Sequence, residues 1–140
     1  MIFWISNLYS YKSLKNNDSL SPAATEWQSQ FIRALNDYSK QKILIINYNY
    51  SKFWPFGKIY IRRNLFNLKK IKSFSFDYIN LPLLKNINIK KNIKEKIIEE
   101  KSHGKKIIFT YNFDKISISL AKELKLNNNV KWIAIVADFD

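Results

Sequence analysis

The sequence contains no cysteine, two glycines, three prolines and one histidine among its 140 residues. Without cysteine there is neither a disulfide framework nor a thiolate metal site, a composition that fits a reducing compartment. Because Gly57 and Gly104 are the only glycines, the chain holds neither the G-x-G-x-x-G dinucleotide fingerprint nor a Walker A loop. The common glycine-rich nucleotide sites are therefore excluded from these residues.

The single histidine, His103, precedes Gly104 where a helix is predicted to end. There it is read either as a solvated cation at the helix C-terminus or as a catalytic base, and the first reading is favoured. With no cysteine and one histidine, the chain shows no motif for a metal site. No metal is predicted, and the catalytic residues remain unknown.

Long apolar runs are also missing. The uncharged apolar stretches 1–5, 43–46 and 132–137 are far shorter than the ~20 residues of a membrane span, and the first lacks the features of a signal peptide. The chain is expected to be soluble and cytoplasmic, or peripheral at the inner face of the membrane.

Positive charge is abundant: 24 Lys+Arg face 11 Asp+Glu, for a formal net charge of +13. Only Arg33, Arg62 and Arg63 are arginine, and Ile, Lys and Asn, which have A/T-rich codons, make up about 41% of the chain. Two readings follow. The charge reflects the composition of an AT-rich genome, or it serves an anionic membrane surface or a nucleic acid. Bidentate recognition prefers arginine, so the compositional reading is favoured.

Short apolar runs alternate with amphipathic segments along the chain. Hydrophobic residues make up 46% of the sequence, enough for the core of one domain over residues 1–140. The alternation predicts an α/β fold, a Rossmann-like, mostly parallel sheet of about six strands with helices on both faces. The predicted strands are 2–5, 42–47, 58–62, 74–81, 106–111 and 130–137, and the predicted helices are 21–39, 89–102 and one that Asp114 caps.

The first predicted helix begins with Ser21 as its N-cap and Pro22 at its first position. Apolar residues at spacings of three and four predict its buried face. Trp27 of this face and Trp132 of the last strand are expected in the core. The face consists of Ala24, Trp27, Phe31, Leu35 and Tyr38.

In parallel sheets, ligands bind outside the carboxyl ends of the strands. Asp138 follows the last strand there, as a hydrogen-bond acceptor or base for a substrate hydroxyl, or as a turn cap. Tyr111 and Asn112 end the preceding strand and either bind a sugar or close a turn. The start of the first helix, 21–24, is read as an anion site or as an ordinary capped helix, and the second is favoured.

An aromatic loop follows the second strand. It contains Tyr48, Tyr50, Trp54 and Phe56, with Lys52 between them. Exposed aromatic rings beside a cation are able to stack on a sugar or a base. The alternative, which we favour slightly, is a loop folded over its own rings.

The order of these pieces resembles the N-terminal domain of bacterial glycosyltransferases of the GT-B architecture, which have two Rossmann-like domains. The resemblance rests on an N-terminal strand, a helix opening S-P-A-A-T-E-W-Q, the stretch I-I-F-T-Y-N and a strand ending in Asp138. The glycine-rich turn often found after the first strand of that family is missing, and residues 21–24 stand in its place. The resemblance implies substrate binding in a cleft lined by Ser21, Pro22, Ala23, Ala24, Tyr111, Asn112 and Asp138.

Such enzymes move a sugar from a nucleotide-sugar donor to a hydroxyl of a glycan or lipid-linked acceptor. The N-terminal domain mainly binds the acceptor, and the C-terminal domain holds the donor and a Glu-x7-Glu motif. That second half is absent from residues 1–140, so this chain is expected to bind no cofactor itself and to be inactive alone. Its expected partners are the sugar or lipid-linked acceptor and a donor-binding domain or subunit. The alternatives are a basic nucleic-acid-binding α/β module and a non-catalytic interaction domain.

Overall fold

A computed structural model describes residues 1–10, 21–64, 66–68, 70–101, 104–112, 114–125 and 129–136. These residues form seven strands and three helices. In chain order they are β1 (Ile2–Ser6), α1 (Pro22–Tyr38), β2 (Ile43–Asn47), β3 (Tyr60–Ile61), β4 (Lys72–Ser75), β5 (Tyr78–Ile79), α2 (Leu84–Glu99), β6 (Lys106–Tyr111), α3 (Lys115–Lys125) and β7 (Val130–Ile135).

Five of these strands form one parallel sheet in the order β4-β2-β1-β6-β7. From β1, the chain first adds β2 and β4 on one side of the sheet and then adds β6 and β7 on the other side. The strand order therefore reverses between β1 and β6. This is the strand order of Rossmann-like sheets, in which the crevice at the reversal point is the usual ligand site. The predicted α/β, Rossmann-like fold class is confirmed.

The core lies on both faces of the sheet. Successive side chains of β1 point to opposite faces, so Phe3 and Ile5 join one cluster, and Ile2 and Trp4 join the other. Helices α2 and α3 cover the first face, and α1 with Phe66, Leu68 and Ile71 covers the second. All five residues of β1 are buried, which explains its continuous apolar run.

The predicted third and fourth strands are arranged differently. Tyr60–Ile61 leaves the main sheet and pairs with Tyr78–Ile79 in a separate antiparallel ladder. The predicted strand 74–81 therefore splits between β4 and β5. Asp77 explains the break, because its carboxylate accepts a hydrogen bond from the Arg63 backbone N–H (2.5 Å) and another from the Tyr60 hydroxyl (2.9 Å). The main sheet consequently has five strands among the described residues instead of about six.

The predicted buried face of α1 is wrong by about one position. Trp27 is 43% exposed, Phe31 is 36% exposed and Tyr38 is 92% exposed. The polar residue Gln28 lies at the centre of the buried face of α1, because its side-chain oxygen accepts a hydrogen bond from Trp4 Nε1 at 3.2 Å. The spacing of the apolar residues alone did not reveal that partner. The buried residues of the helix are Thr25, Gln28, Ser29 and Ile32.

Helix α2 begins at Leu84 and ends at Glu99, five residues before its predicted start and three before its predicted end. The Glu100 backbone N–H donates to the Lys96 carbonyl oxygen (3.3 Å) and closes the last turn. Gly104 is therefore not the residue that ends the helix, and it has no positive φ. His103 lies outside the described residues. Within the described part of the chain, no helix has both the length and the apolar character needed to cross a bilayer.

Candidate functional site

The loops beyond the carboxyl ends of β1 and β2 are joined by Asn47, the last residue of β2. Its side-chain oxygen accepts a hydrogen bond from the Leu8 N–H at 2.7 Å, and its Nδ2 donates to the Leu8 carbonyl at 2.8 Å. Asn64 Nδ2 donates to the same carbonyl at 3.0 Å. Both Asn47 and Leu8 are fully buried. One amide therefore satisfies the backbone of a loop that leaves the sheet at this edge.

The start of α3 is tied to the same edge. The Tyr48 hydroxyl donates to Asp114 Oδ2 at 2.8 Å, and Asp114 Oδ1 accepts the Ser117 backbone N–H at 2.5 Å. Asp114 thus caps α3, as the sequence predicts. Burial raises the pKa of Tyr48 well above its ordinary value, and the neighbouring negative charge of Asp114 raises it further. Tyr48 is therefore a permanent hydrogen-bond donor at neutral pH.

Two further buried tyrosines hold the segment 49–51. The Tyr50 backbone N–H donates to the Tyr9 hydroxyl at 2.8 Å, and the Tyr78 hydroxyl donates to the Asn49 carbonyl. Burial raises the pKa of Tyr9 and of Tyr78. These contacts fix a segment between the carboxyl ends of the strands and the small β3–β5 ladder.

The aromatic loop is closed by Asn80 and Gly57. Asn80 Nδ2 donates to the carbonyls of Lys52 (2.6 Å) and Lys58 (2.8 Å). A Cβ on Gly57 would lie 2.2 Å from the Lys52 carbonyl oxygen, so only glycine fits this approach. The Trp54–Pro55 peptide bond is cis. Trp54 and Phe56 stay exposed, at 50% and 85%, so the loop does not fold over these two rings.

Lys85, in the first turn of α2, also contacts the aromatic loop. The residue is buried, its Nζ donates to the Ser51 carbonyl at 2.5 Å, and it lies over the rings of Tyr50 and Phe53 at 4.6 and 4.7 Å from their centroids. Burial lowers the pKa of Lys85, although the charge of Asp114 opposes the shift. The ammonium is thus held by a carbonyl and two aromatic faces instead of a carboxylate.

These loops surround an open cavity of about 490 Å3. Its walls come from the segments that follow β1 and β2 and from the segment around β3. Three of its residues are tyrosine, at positions 9, 50 and 60. We call it the carboxyl-edge cavity, and it is lined by Tyr9, Asn49, Tyr50, Ser51, Lys58, Tyr60, Ile61, Arg62, Arg63 and Asn64.

The lining of the carboxyl-edge cavity is positively charged. Its described residues include Lys58, Arg62 and Arg63, and none of them is acidic. Among the described residues, neither guanidinium makes an ion pair or a hydrogen bond. The pKa of the Asp77 carboxyl is lowered mainly by the hydrogen bonds from the Arg63 backbone N–H and the Tyr60 hydroxyl, and further by the charges of Arg63 and Arg62. Asp77 thus attracts both arginine side chains but forms an ion pair with neither.

Comparison with protein-family models, with curated proteins and with solved structures found no match to this chain. Within the described residues, no group of three or more His, Asp or Glu is placed to hold a metal ion.

The start of α1 at 21–24 has the geometry of an ordinary capped helix, which is the favoured of the two sequence-based interpretations. The Ala24 N–H donates to Ser21 Oγ at 3.1 Å, with Pro22 in the first turn of α1. The same end of α1 lies near the end of β6, since the Trp27 and Tyr111 rings are 5.5 Å apart. The N-terminal half of α1 therefore packs beside the carboxyl end of β6.

The other predicted site residues have different outcomes. Asn112 follows Tyr111 with a φ of 60°, and its N–H donates to the Ile135 carbonyl at 2.8 Å. This bond extends the parallel pairing of β6 with β7 by one residue. Asp138 lies outside the described residues.

The residues of the carboxyl-edge cavity were not singled out from the sequence as site residues, apart from the aromatic loop. Two signals were present: tyrosine is concentrated between residues 48 and 78, and Arg62-Arg63 is the only arginine pair. Neither signal reveals that Tyr9 and Asn64 meet them, because those contacts depend on the tertiary fold.

A second cavity, of about 430 Å3, lies between α3 and strands β6 and β7. Its walls are mainly apolar and include Ile108, Leu120 and Trp132. It offers few polar groups to orient a ligand, and it adjoins the core instead of the carboxyl ends of the strands. The carboxyl-edge cavity is the better candidate for a binding site.

Proposed function

We propose that this chain is the acceptor-side domain of a GT-B-like glycosyltransferase, and that the carboxyl-edge cavity receives the sugar acceptor. The observation that carries the proposal is the cavity itself, which combines three tyrosines with amide and guanidinium groups at the ligand-binding edge of a Rossmann-like sheet. The C–H faces of a sugar ring pack on tyrosine rings, and its hydroxyls hydrogen-bond to amides and guanidinium groups.

The order of elements supports the same assignment. Of the predicted cleft residues, Tyr111 ends β6, a strand at the reversal point, and Ser21–Ala24 begin α1, whose Trp27 ring lies 5.5 Å from that of Tyr111. In this proposal they face the donor-binding domain or subunit, which supplies the nucleotide sugar and the paired carboxylates. The chain would then act in the cytoplasm on a glycan or lipid-linked acceptor, and it would transfer no sugar without that partner.

The proposal predicts that the 140-residue chain binds oligosaccharides but hydrolyses and transfers no nucleotide sugar. Oligosaccharide binding is measured by calorimetry, with Tyr60→Ala as the test variant, because Tyr60 lines the cavity and is about half exposed. The loss of this ring is expected to weaken binding about tenfold, the upper range for one aromatic contact.

Tyr38→Ala is the matched control, because Tyr38 is 92% exposed at the end of α1 and lies outside the cavity. An equal effect of both substitutions, or the absence of any sugar binding, would contradict the acceptor role. Robust sugar transfer by the chain alone would contradict the need for a donor-binding partner.

A further inference from the structure

We infer that the carboxyl-edge cavity selects an anionic sugar, one that carries a carboxylate or phosphate group, and that Arg62 and Arg63 bind this group. The inference rests on the proposed acceptor role and names the class of acceptor. It starts from the distribution of arginine: the sequence has three, and two of them line this cavity.

Within the described residues, neither guanidinium group forms an ion pair, although the charges of both lower the pKa of Asp77. Lys58 adds a third positive charge, and none of the described lining residues is acidic. Asp77, the acidic neighbour, already accepts hydrogen bonds from the Tyr60 hydroxyl and the Arg63 backbone. Since guanidinium groups match carboxylate and phosphate oxygens in a bidentate geometry, the lining fits an anion better than a neutral group.

The rest of the lining fits the sugar ring to which the anion is attached. Tyr50 is 64% exposed and Tyr60 is 49% exposed, so each offers a ring face to a ligand. Tyr9, by contrast, is buried and fixes the Tyr50 backbone through its hydroxyl. A free inorganic anion would use only the guanidinium groups, whereas a charged sugar uses the guanidinium groups and the rings together.

Asn49 helps to set the position of Arg62 and Arg63. Its Nδ2 donates to the Arg62 carbonyl at 2.9 Å, and its own carbonyl accepts the Tyr78 hydroxyl. The backbone of Arg63 is fixed by Asp77. Replacing either arginine side chain therefore leaves these backbone contacts intact, so the variants are expected to fold.

The test compares matched sugars by calorimetry at physiological salt: galacturonate with galactose, and glucose 6-phosphate with glucose. Inorganic phosphate and a single-stranded oligonucleotide are separate arms. At least one charged sugar is expected to bind ten times more tightly than its neutral counterpart and than inorganic phosphate. Arg62→Gln and Arg63→Gln are each expected to weaken that binding about tenfold, while Arg33→Gln, an exposed arginine on α1, leaves it unchanged.

Four results would overturn the inference. Equal binding of charged and neutral sugars, insensitive to both arginine changes, would reject anion selection while the acceptor role stands. Binding of inorganic phosphate as tight as that of the charged sugars would reject sugar recognition. Tighter, steeply salt-dependent binding of the oligonucleotide would assign the cavity to nucleic acid. If no sugar binds at all, the acceptor role fails together with the inference.

Discussion

At the scale of single residues, polar side chains organise the carboxyl edge. Asn47 holds the Leu8 backbone, Tyr48 holds Asp114, and Tyr78 holds the Asn49 carbonyl. Asn47, Tyr48 and Tyr78 are buried. If one of their hydrogen bonds is lost, water does not reach the partner atom to replace that bond. Contacts of this kind fix a site more firmly than exposed ones do.

Asn47→Ala is expected to lower the free energy of unfolding by about 2–4 kcal/mol, since it removes two buried hydrogen bonds and leaves the Leu8 N–H unsatisfied. Urea denaturation measures the change. Asn86→Ala, at an exposed position in the first turn of α2, is the control and is expected to stay within about 0.5 kcal/mol. A loss below 1 kcal/mol for Asn47→Ala would show that the amide does not hold the loop.

The buried tyrosines predict a loss of stability at high pH. Their pKa is raised in the folded chain, so they stabilise it fully below the ordinary tyrosine pKa of about 10 and lose that contribution as the pH rises further. For Tyr48, the slope is about 1.4 kcal/mol per pH unit while it stays protonated only in the folded state.

Tyrosinate absorbance and far-UV circular dichroism, followed together above pH 10, check this prediction. We expect the ionisation of Tyr48 and Tyr78 to coincide with unfolding, and Tyr48→Phe to reduce the steepness of the stability loss. If all eight tyrosines ionised in one step near pH 10 without loss of structure, the prediction would be wrong.

At the scale of elements, the predictions from periodicity succeeded where the burial of a single element sets its sequence pattern. They failed where a hydrogen bond to a residue distant in sequence sets the structure. The runs at β1, β2 and β6 are buried between helices, and their apolar sequence records that environment. Asp77 divides a predicted strand by binding residues far along the chain, and Gln28 takes a core position by binding Trp4. Neither partner is visible from local spacing.

Gly57→Ala is expected to open the aromatic loop, because the new Cβ would meet the Lys52 carbonyl oxygen at 2.2 Å. The cost is about 1–3 kcal/mol, as for other overpacked sites, and sugar binding in the adjacent cavity is expected to weaken. Gly104→Ala is the matched control, because its Cβ meets nothing within 4 Å. Thermal unfolding of both variants checks the prediction, and equal melting temperatures would contradict it.

At the scale of the whole molecule, lysine and arginine differ in their surroundings. Within the described residues, lysine supplies the cation of every ion pair, with Glu100 and Glu123 each meeting more than one. The more exposed of these pairs contribute little to stability individually. Two of the three arginines line the carboxyl-edge cavity instead. The net charge of +13 thus conceals a local concentration of guanidinium groups that composition alone does not reveal.

The fold class was predictable because alternating apolar strands and amphipathic helices have few solutions other than a layered α/β sheet. The site was predictable only in part. Ser21–Ala24 follow from a helix start and Tyr111 from a strand end, both of which are local features. The carboxyl-edge cavity joins Tyr9, segment 49–51 and segment 58–64, and this meeting depends on the Asn47 and Tyr78 contacts.

The central claim is that the carboxyl-edge cavity binds a sugar. Mapping of backbone amide chemical shifts on the 140-residue chain, during titration with a charged and a neutral sugar, tests it most directly. We predict that the largest shifts fall in segments 49–51 and 58–64, that they saturate at lower concentration for the charged sugar, and that Arg62→Gln reduces them. Shifts centred on α2, α3 or the apolar cavity, or no shifts at all, would contradict the account.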